Sequence, residues 1–161
     1  MRRILTSVVL LVLLFPSLAL GETVKLRDLV VTEGLFYKKF TDVPFTGKVT
    51  GRGQGKLKKG VQVGPWVTYH KNGQLWSKGT YKNEKRDGPW VIYYETGRLQ
   101  TKGTQQDGEW DGPYVLYHEN GQLKSKGNWK NGGLAGPWVF YLPNGQLSWE
   151  GTYKDDVKIS D

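Results

Sequence analysis

Apolar and polar side chains alternate along short runs from Gly64 to Tyr153, and glycine-bearing turn cues interrupt these runs at regular intervals. Alternation with a period of two marks a strand with two distinct faces. The runs also copy one another. "GPWVTYHKNGQLWSKG" from Gly64 returns as "GPWVIYYETGRLQTKG" from Gly88, "GPYVLYHENGQLKSKG" from Gly112 and "GPWVFYLPNGQLSWEG" from Gly136, each start 24 residues after the last.

Within each copy a turn cue ("HKNGQ", "YETGR", "HENGQ", "LPNGQ") separates two strand-like runs. Pro143 selects the turn type. A two-residue loop at Asn144–Gly145 would require from Pro143 a ladder hydrogen bond that it cannot donate. A type I turn with Pro143 in its second position, closed by a left-handed glycine, accommodates it. All four loops are therefore predicted to hold three residues, with Gly73, Gly97, Gly121 and Gly145 left-handed. This register sets His70 opposite Gln74, Tyr69 opposite Leu75 and Val67 opposite Ser77. It predicts a core stripe of Val67, Tyr69, Leu75 and Ser77. The counterparts are Val91, Tyr93, Leu99 and Thr101; Val115, Tyr117, Leu123 and Ser125; and Val139, Tyr141, Leu147 and Trp149. The other face would carry Trp66, Trp90, Tyr114 and Trp138 together with Lys78, Lys102 and Lys126. Its rings would stand about 10 Å apart, two strand spacings, too far to touch.

A second turn ("KNEKRDG", "QDGEWDG", "KNGGLAG") returns the chain. An aromatic residue precedes it at Tyr81, Trp129 and Tyr153; Gln105 replaces it once, and nearby Trp110 compensates. A lone hairpin is marginal in water, so the copies must stack and need a cap. The expected fold is all-β: an elongated antiparallel sheet of hairpin repeats, twisted or rolled. It would grow by about 9–10 Å per repeat, to roughly 40 Å over four. The repeats occupy residues 64–87, 88–111, 112–135 and 136–159. Residues 22–63 form the cap, with two short strands around 35–40 and 45–50 and the tail of a degenerate repeat, because Gly55 stands 24 residues before Gly79. Asp155, Asp156, Lys158 and Asp161 would keep the far edge soluble.

Composition adds compartment and stability. Twenty-two glycines fit many tight turns, and aromatics at 13% supply burial. The formal charge is +8. Residues 1–21 read as an export signal: Arg2 and Arg3, an apolar run from Ile4 to Leu14, Pro16, and small residues Ala19 and Gly21 before a cleavage site after Gly21. A site after Ala19 is the alternative. The expected destination is the periplasm or the exterior. With no cysteine, there is no disulfide, no thiolate metal site and no lipoprotein-type anchor. Burial and hydrogen bonds alone must hold the fold.

The pattern G-x-W-x-x-Y-x-x-N-G-x-L-x-x-x-G-x-Y resembles the MORN repeat variant of bacterial proteins. The chain further resembles the YwqK-type family, labelled the antitoxin of a toxin–antitoxin system. The likeness runs from Gly64 to Tyr153 and includes "GLFYKKFTDVPFTGKV" in the cap. It implies hairpin repeats that contact protein or lipid, no catalysis and no cofactor.

The residues agree with the absence of chemistry. His70 and His118 share a repeat position with Tyr94 and Leu142, so the position asks for a half-buried flat side chain and not for a base. The acids Asp87, Asp107, Asp111 and Asp155 fall in turns, where they cap backbone. "GRGQG" from Gly51 lacks the lysine and helix of a phosphate loop. The expected function is an exported, non-catalytic scaffold that binds a protein or an envelope component. The candidate surface is Trp76, Trp110 and Trp149 with the lysine row Lys78, Lys102 and Lys126. Anionic lipid is a second partner class for the lysines, which otherwise read as a solvated face that protects the strands from edge aggregation, and export removes most nucleic-acid partners. Two further readings stand beside this one: an antitoxin of an envelope toxin, and a glycan-directed binder or enzyme accessory with Trp66, Trp90 and Trp138 as stacking platforms. Exposure of those three indoles discriminates the last.

Overall fold

A computed structural model describes residues 21–160. The expected export signal, save Gly21, and Asp161 lie outside the described residues. The chain runs β1 (Thr23–Lys25), a 3-10 turn (Leu26–Asp28), β2 (Leu29–Thr32), β3 (Leu35–Lys38), β4 (Gly47–Thr50), β5 (Gly53–Lys58), β6 (Val61–Tyr69), β7 (Leu75–Lys82) and β8 (Lys85–Arg86). It continues with β9 (Gly88–Tyr93), β10 (Leu99–Gln106), β11 (Glu109–Tyr117), β12 (Leu123–Lys130), β13 (Gly133–Tyr141), β14 (Leu147–Lys154) and β15 (Val157–Ser160). Among the described residues thirteen strands form one open sheet in the order β1-β4-β5-β6-β7-β9-β10-β11-β12-β13-β14-β15, with β8 beside β7. The fold is the all-β antiparallel hairpin array that the alternation predicts.

The four long loops have the predicted form. Gly73, Gly97, Gly121 and Gly145 have φ of 87°, 80°, 90° and 84°. In the first loop the N–H of His70 donates to Gln74 and the N–H of Gly73 donates back to His70, closing a three-residue loop. The return turns are two-residue loops with both residues left-handed: Asn83–Glu84, Asp107–Gly108, Asn131–Gly132 and Asp155–Asp156. That twist matches the strands it joins.

Beyond the loop the register departs from expectation. Tyr69 pairs with Leu75 as predicted, but Thr68 pairs with Ser77 and Val67 with Lys78. Trp76 is an extra residue in a bulge, and Gln100, Lys124 and Ser148 are its counterparts. One extra residue moves the rest of the strand to the opposite face. Ser77, Thr101, Ser125 and Trp149 therefore leave the Val–Tyr–Leu stripe and join the tryptophan face. The lysines move the other way, onto the valine face.

Burial follows this corrected register. Trp66, Trp90 and Trp138 are 3%, 2% and 2% exposed. Thr101 and Ser125 beside them are also buried. The predicted core stripe is only half-buried: Val67, Val91 and Val115, with Tyr69, Tyr93, Tyr117 and Tyr141, and with Leu75, Leu99 and Leu123, while Leu147 is exposed. The tryptophan face is the packed one because flat rings can lie down on a single sheet, whereas the valines on the other side meet no second layer among the described residues.

Glycines make room for the rings. A Cβ at Gly55 would stand 2.6 Å from the Trp66 ring, and one at Gly79 or Gly127 would fall inside the indole of Trp90 or Trp138. Gly127 pairs with Tyr114 in the sheet, yet it carries the Trp138 ring. Each ring thus leans over the preceding hairpin. That lean shortens the expected 10 Å gap: Tyr114 and Trp138 lie 6.0 Å apart, within contact range.

The cap closes the first end of the array. β1 pairs parallel with β4, and β2 and β3 form a separate hairpin. Leu29, Phe45, Val49, Leu57 and Trp66 make the buried cluster there, with Val24, Leu26, Phe36 and Tyr81 packed against it. Gly55 lies under Trp66, so the degenerate repeat tail functions as the zeroth unit.

Candidate functional site

On the packed face the aromatic side chains form a ladder. Trp66 meets Tyr81 edge-on at 6.4 Å, and Tyr81 meets Trp90 at 5.4 Å. Further along, Trp129 meets Trp138 at 5.5 Å, and Trp138 stacks on Phe140 at 5.7 Å. Such pairs contribute about 0.5–1.5 kcal/mol each beyond area burial. Gln105 interrupts the ladder, and its cross-strand partner is Trp110. Trp110 packs 5.0 Å from Tyr114, which is the expected compensation. Burial pushes the Tyr114 phenol up; a Thr101 hydrogen bond opposes this and Tyr94 adds to it.

The indole nitrogens show one departure from the repeat. Trp66 Nε1 donates to the Lys56 carbonyl at 3.2 Å, and Trp138 Nε1 to the equivalent Asn128 carbonyl at 2.9 Å. Trp90 Nε1 is buried with no acceptor among the described residues, as is Trp129 Nε1. A buried donor left unpaired costs about 1–3 kcal/mol.

The opposite face carries a straight row across nine strands. Gln54, Val67, Lys78, Val91, Lys102, Val115, Lys126, Val139 and Glu150 pair successively. Lys78, Lys102 and Lys126 are exposed, and none makes an ion pair among the described residues. They stand two strand spacings apart, about 9.5 Å. Beside them runs a row of exposed prolines, Pro65, Pro89, Pro113 and Pro137.

The six side chains read from the sequence as one binding surface thus divide between two faces. The lysines form one row. Trp110 and Trp149 belong to the ladder on the other side, Trp149 stacking on Phe140 at 4.4 Å. Trp76 is the bulge residue, 48% exposed. It lines a groove of 280 Å³ together with Trp66, Tyr81, Arg86 and Trp90, closed at the cap end by Leu26 and Phe36. The guanidinium of Arg86 lies 4.6 Å over the Trp90 ring. Arg86 escaped the sequence reading; its signal was a cation at a position that holds Gln62, Trp110 and Leu134 in other copies, with Lys158 as a second cation at the far end.

His70 and His118 are half-buried, as read, and each also makes a bond between repeats. His70 Nε2 meets the Tyr93 carbonyl and His118 Nε2 the Tyr141 carbonyl, both at 2.9 Å. Tyr94 OH donates to Tyr117 at 2.7 Å. Among the described residues no group of three His, Asp or Glu side chains is placed to hold a metal ion.

The profile of the MORN repeat variant matches four consecutive segments, residues 62–83, 86–107, 110–131 and 134–155. These cover more than half of the chain, which belongs to that family. The period agrees with the 24-residue repeat, in a frame opening two residues earlier. No curated protein matches the chain. MORN repeats are in general non-catalytic binding scaffolds that contact proteins or membrane lipids.

Proposed function

We propose that this chain is an exported, non-catalytic scaffold that holds a protein or envelope component on its lysine-bearing face. The observation that supports it is the register-locked row of Lys78, Lys102 and Lys126. Three cations without carboxylate partners among the described residues, at fixed spacing on a stiff sheet, favour an extended anionic surface over a point ligand. The spacing is close to the Debye length at physiological salt, so the attraction should weaken steeply as salt rises. Burial of Trp66, Trp90 and Trp138 removes them as stacking platforms and favours the scaffold over the glycan reading built on those rings. An antitoxin role against an envelope toxin would use the same face, with the toxin as the protein held there.

The experiment is co-sedimentation of the chain with an envelope fraction, before and after extraction of lipid. The chain should bind at low salt, release at high salt, and fail to bind once Lys78, Lys102 and Lys126 are all Gln. Full retention by that triple variant would sink the proposal. Mass measurement of the envelope-associated form should place its N-terminus at Glu22; a chain retaining Met1 would remove the export step.

A further inference from the structure

In a repeat protein, positions that every copy shares build the array, and departures carry what is particular to the chain. Three departures meet in one place. The bulge residue is Trp76 in the first repeat but Gln100, Lys124 and Ser148 in the others. Arg86 supplies a cation beside the ladder. Trp90, unlike its counterparts Trp66 and Trp138, has no indole acceptor among the described residues, a lack it shares with Trp129. All three side chains line the groove between the cap and the second repeat.

Its chemistry defines an occupant. The volume, 280 Å³, falls just under the roughly 300–1,000 Å³ of drug-sized sites, so one ring with substituents fits. Trp76 offers an exposed indole face, and a bulge is a device for aiming a side chain out of the ladder. Arg86 makes no ion pair among the described residues. Its guanidinium carbon sits 4.6 Å over the Trp90 ring, a contact that uses none of its N–H donors, so a planar anion can be held there by two hydrogen bonds. Gln62 adds an amide to the lining. An apolar ring face, a carboxylate and several hydroxyls together satisfy these groups.

We propose that this groove binds an acidic sugar of the hexuronate type, its ring stacked on Trp76 and its carboxylate on Arg86. The site is distinct from the lysine row, which lies on the opposite face, so either assignment can fail without the other.

The test is calorimetric titration of the full chain with a methyl hexuronide and with its neutral methyl hexoside counterpart. The acidic sugar should bind at least tenfold more tightly than the neutral one. Trp76→Ala should cost at least tenfold with an unchanged circular dichroism spectrum, and Trp76→Phe should recover most of that loss. Arg86→Gln should bring the acidic sugar down to the neutral level. The triple lysine variant should bind the sugar as the parent does. The proposal is overturned by failure of the parent to bind either sugar, by equal binding of the two, or by a folded Arg86→Gln protein that still prefers the acid. Capture of phosphatidylglycerol vesicles through Trp76, in place of the sugar, would also overturn it.

Discussion

The Nε2 of His70 lies 2.9 Å from the carbonyl oxygen of Tyr93, one repeat further on. A carbonyl only accepts, so the ring nitrogen is the donor. Tyr94 and His118 occupy the same position and reach Tyr117 and Tyr141 in the same way. Leu142 stands in the fourth repeat, after which the described residues hold only β15. The position therefore selects a long donor wherever a following repeat offers a carbonyl. Nearby, Asn72 and Asn120 add a second bond, to Glu95 and Pro143.

Tyr94→Phe should therefore remove a bond between the second and third repeats while keeping the ring. The expected loss is about 1 kcal/mol, read as a lower urea midpoint. Leu142→Phe should cost little, because the leucine makes no such bond to lose. A neutral Tyr94→Phe would show that the bond contributes nothing to coupling.

Gly121 and Gly127 belong to one hairpin and are required for different reasons. Gly121 is left-handed with open space around it; Gly127 has ordinary backbone and lies under Trp138. Gly121→Val should cost over about 1 kcal/mol from backbone strain, and Gly121→Asn less. Gly127→Ala should cost about 1–3 kcal/mol from overpacking, and Trp138→Leu should relieve part of that cost. Additive effects of Gly127→Ala and Trp138→Leu in urea unfolding would separate the glycine from the ring.

The loops and the repeat were legible because their cues are local. Pro143 excludes one turn, and a glycine every 24 residues marks the other. The faces were not legible. The bulge at Trp76, Gln100, Lys124 and Ser148 has no glycine or proline to announce it, and a single extra residue inverts all that follows. One signal was available: Gly79, Gly103 and Gly127 sit within strands, where glycine often marks a close approach by something bulky. The parallel pairing of β1 with β4 depends on contacts distant in sequence and left no local trace. The lysine row was seen as a row but assigned to the wrong side by the same one-residue error.

Trp90→Ala and Tyr93→Ala test the corrected faces directly. Trp90 is 2% exposed and Tyr93 half-buried. Removing the buried indole should cost about 3–5 kcal/mol. Loss of the Tyr93 ring should cost roughly half as much, in proportion to the area it buries. Urea unfolding of both variants measures the difference, and a larger loss at Tyr93 would restore the opposite assignment.

Trp149 supplies the last prediction. Its counterparts in the inner repeats are Ser77, Thr101 and Ser125, small residues buried on the packed face. Among the described residues β15 pairs with β14 only from Thr152 to Lys154 and leaves Trp149 without a strand on that side, so a large ring fits there. It stacks on Phe140 at 4.4 Å and carries the Lys158 ammonium 5.3 Å above its face. Trp149→Ser restores the inner-repeat residue and should loosen the last hairpin alone, because each repeat contacts only its neighbours. Amide hydrogen exchange should quicken in β14 and β15 and stay unchanged from β6 to β11. A protein whose terminal hairpin keeps its protection after this change would release Trp149 from the structural role and return it to the binding surface.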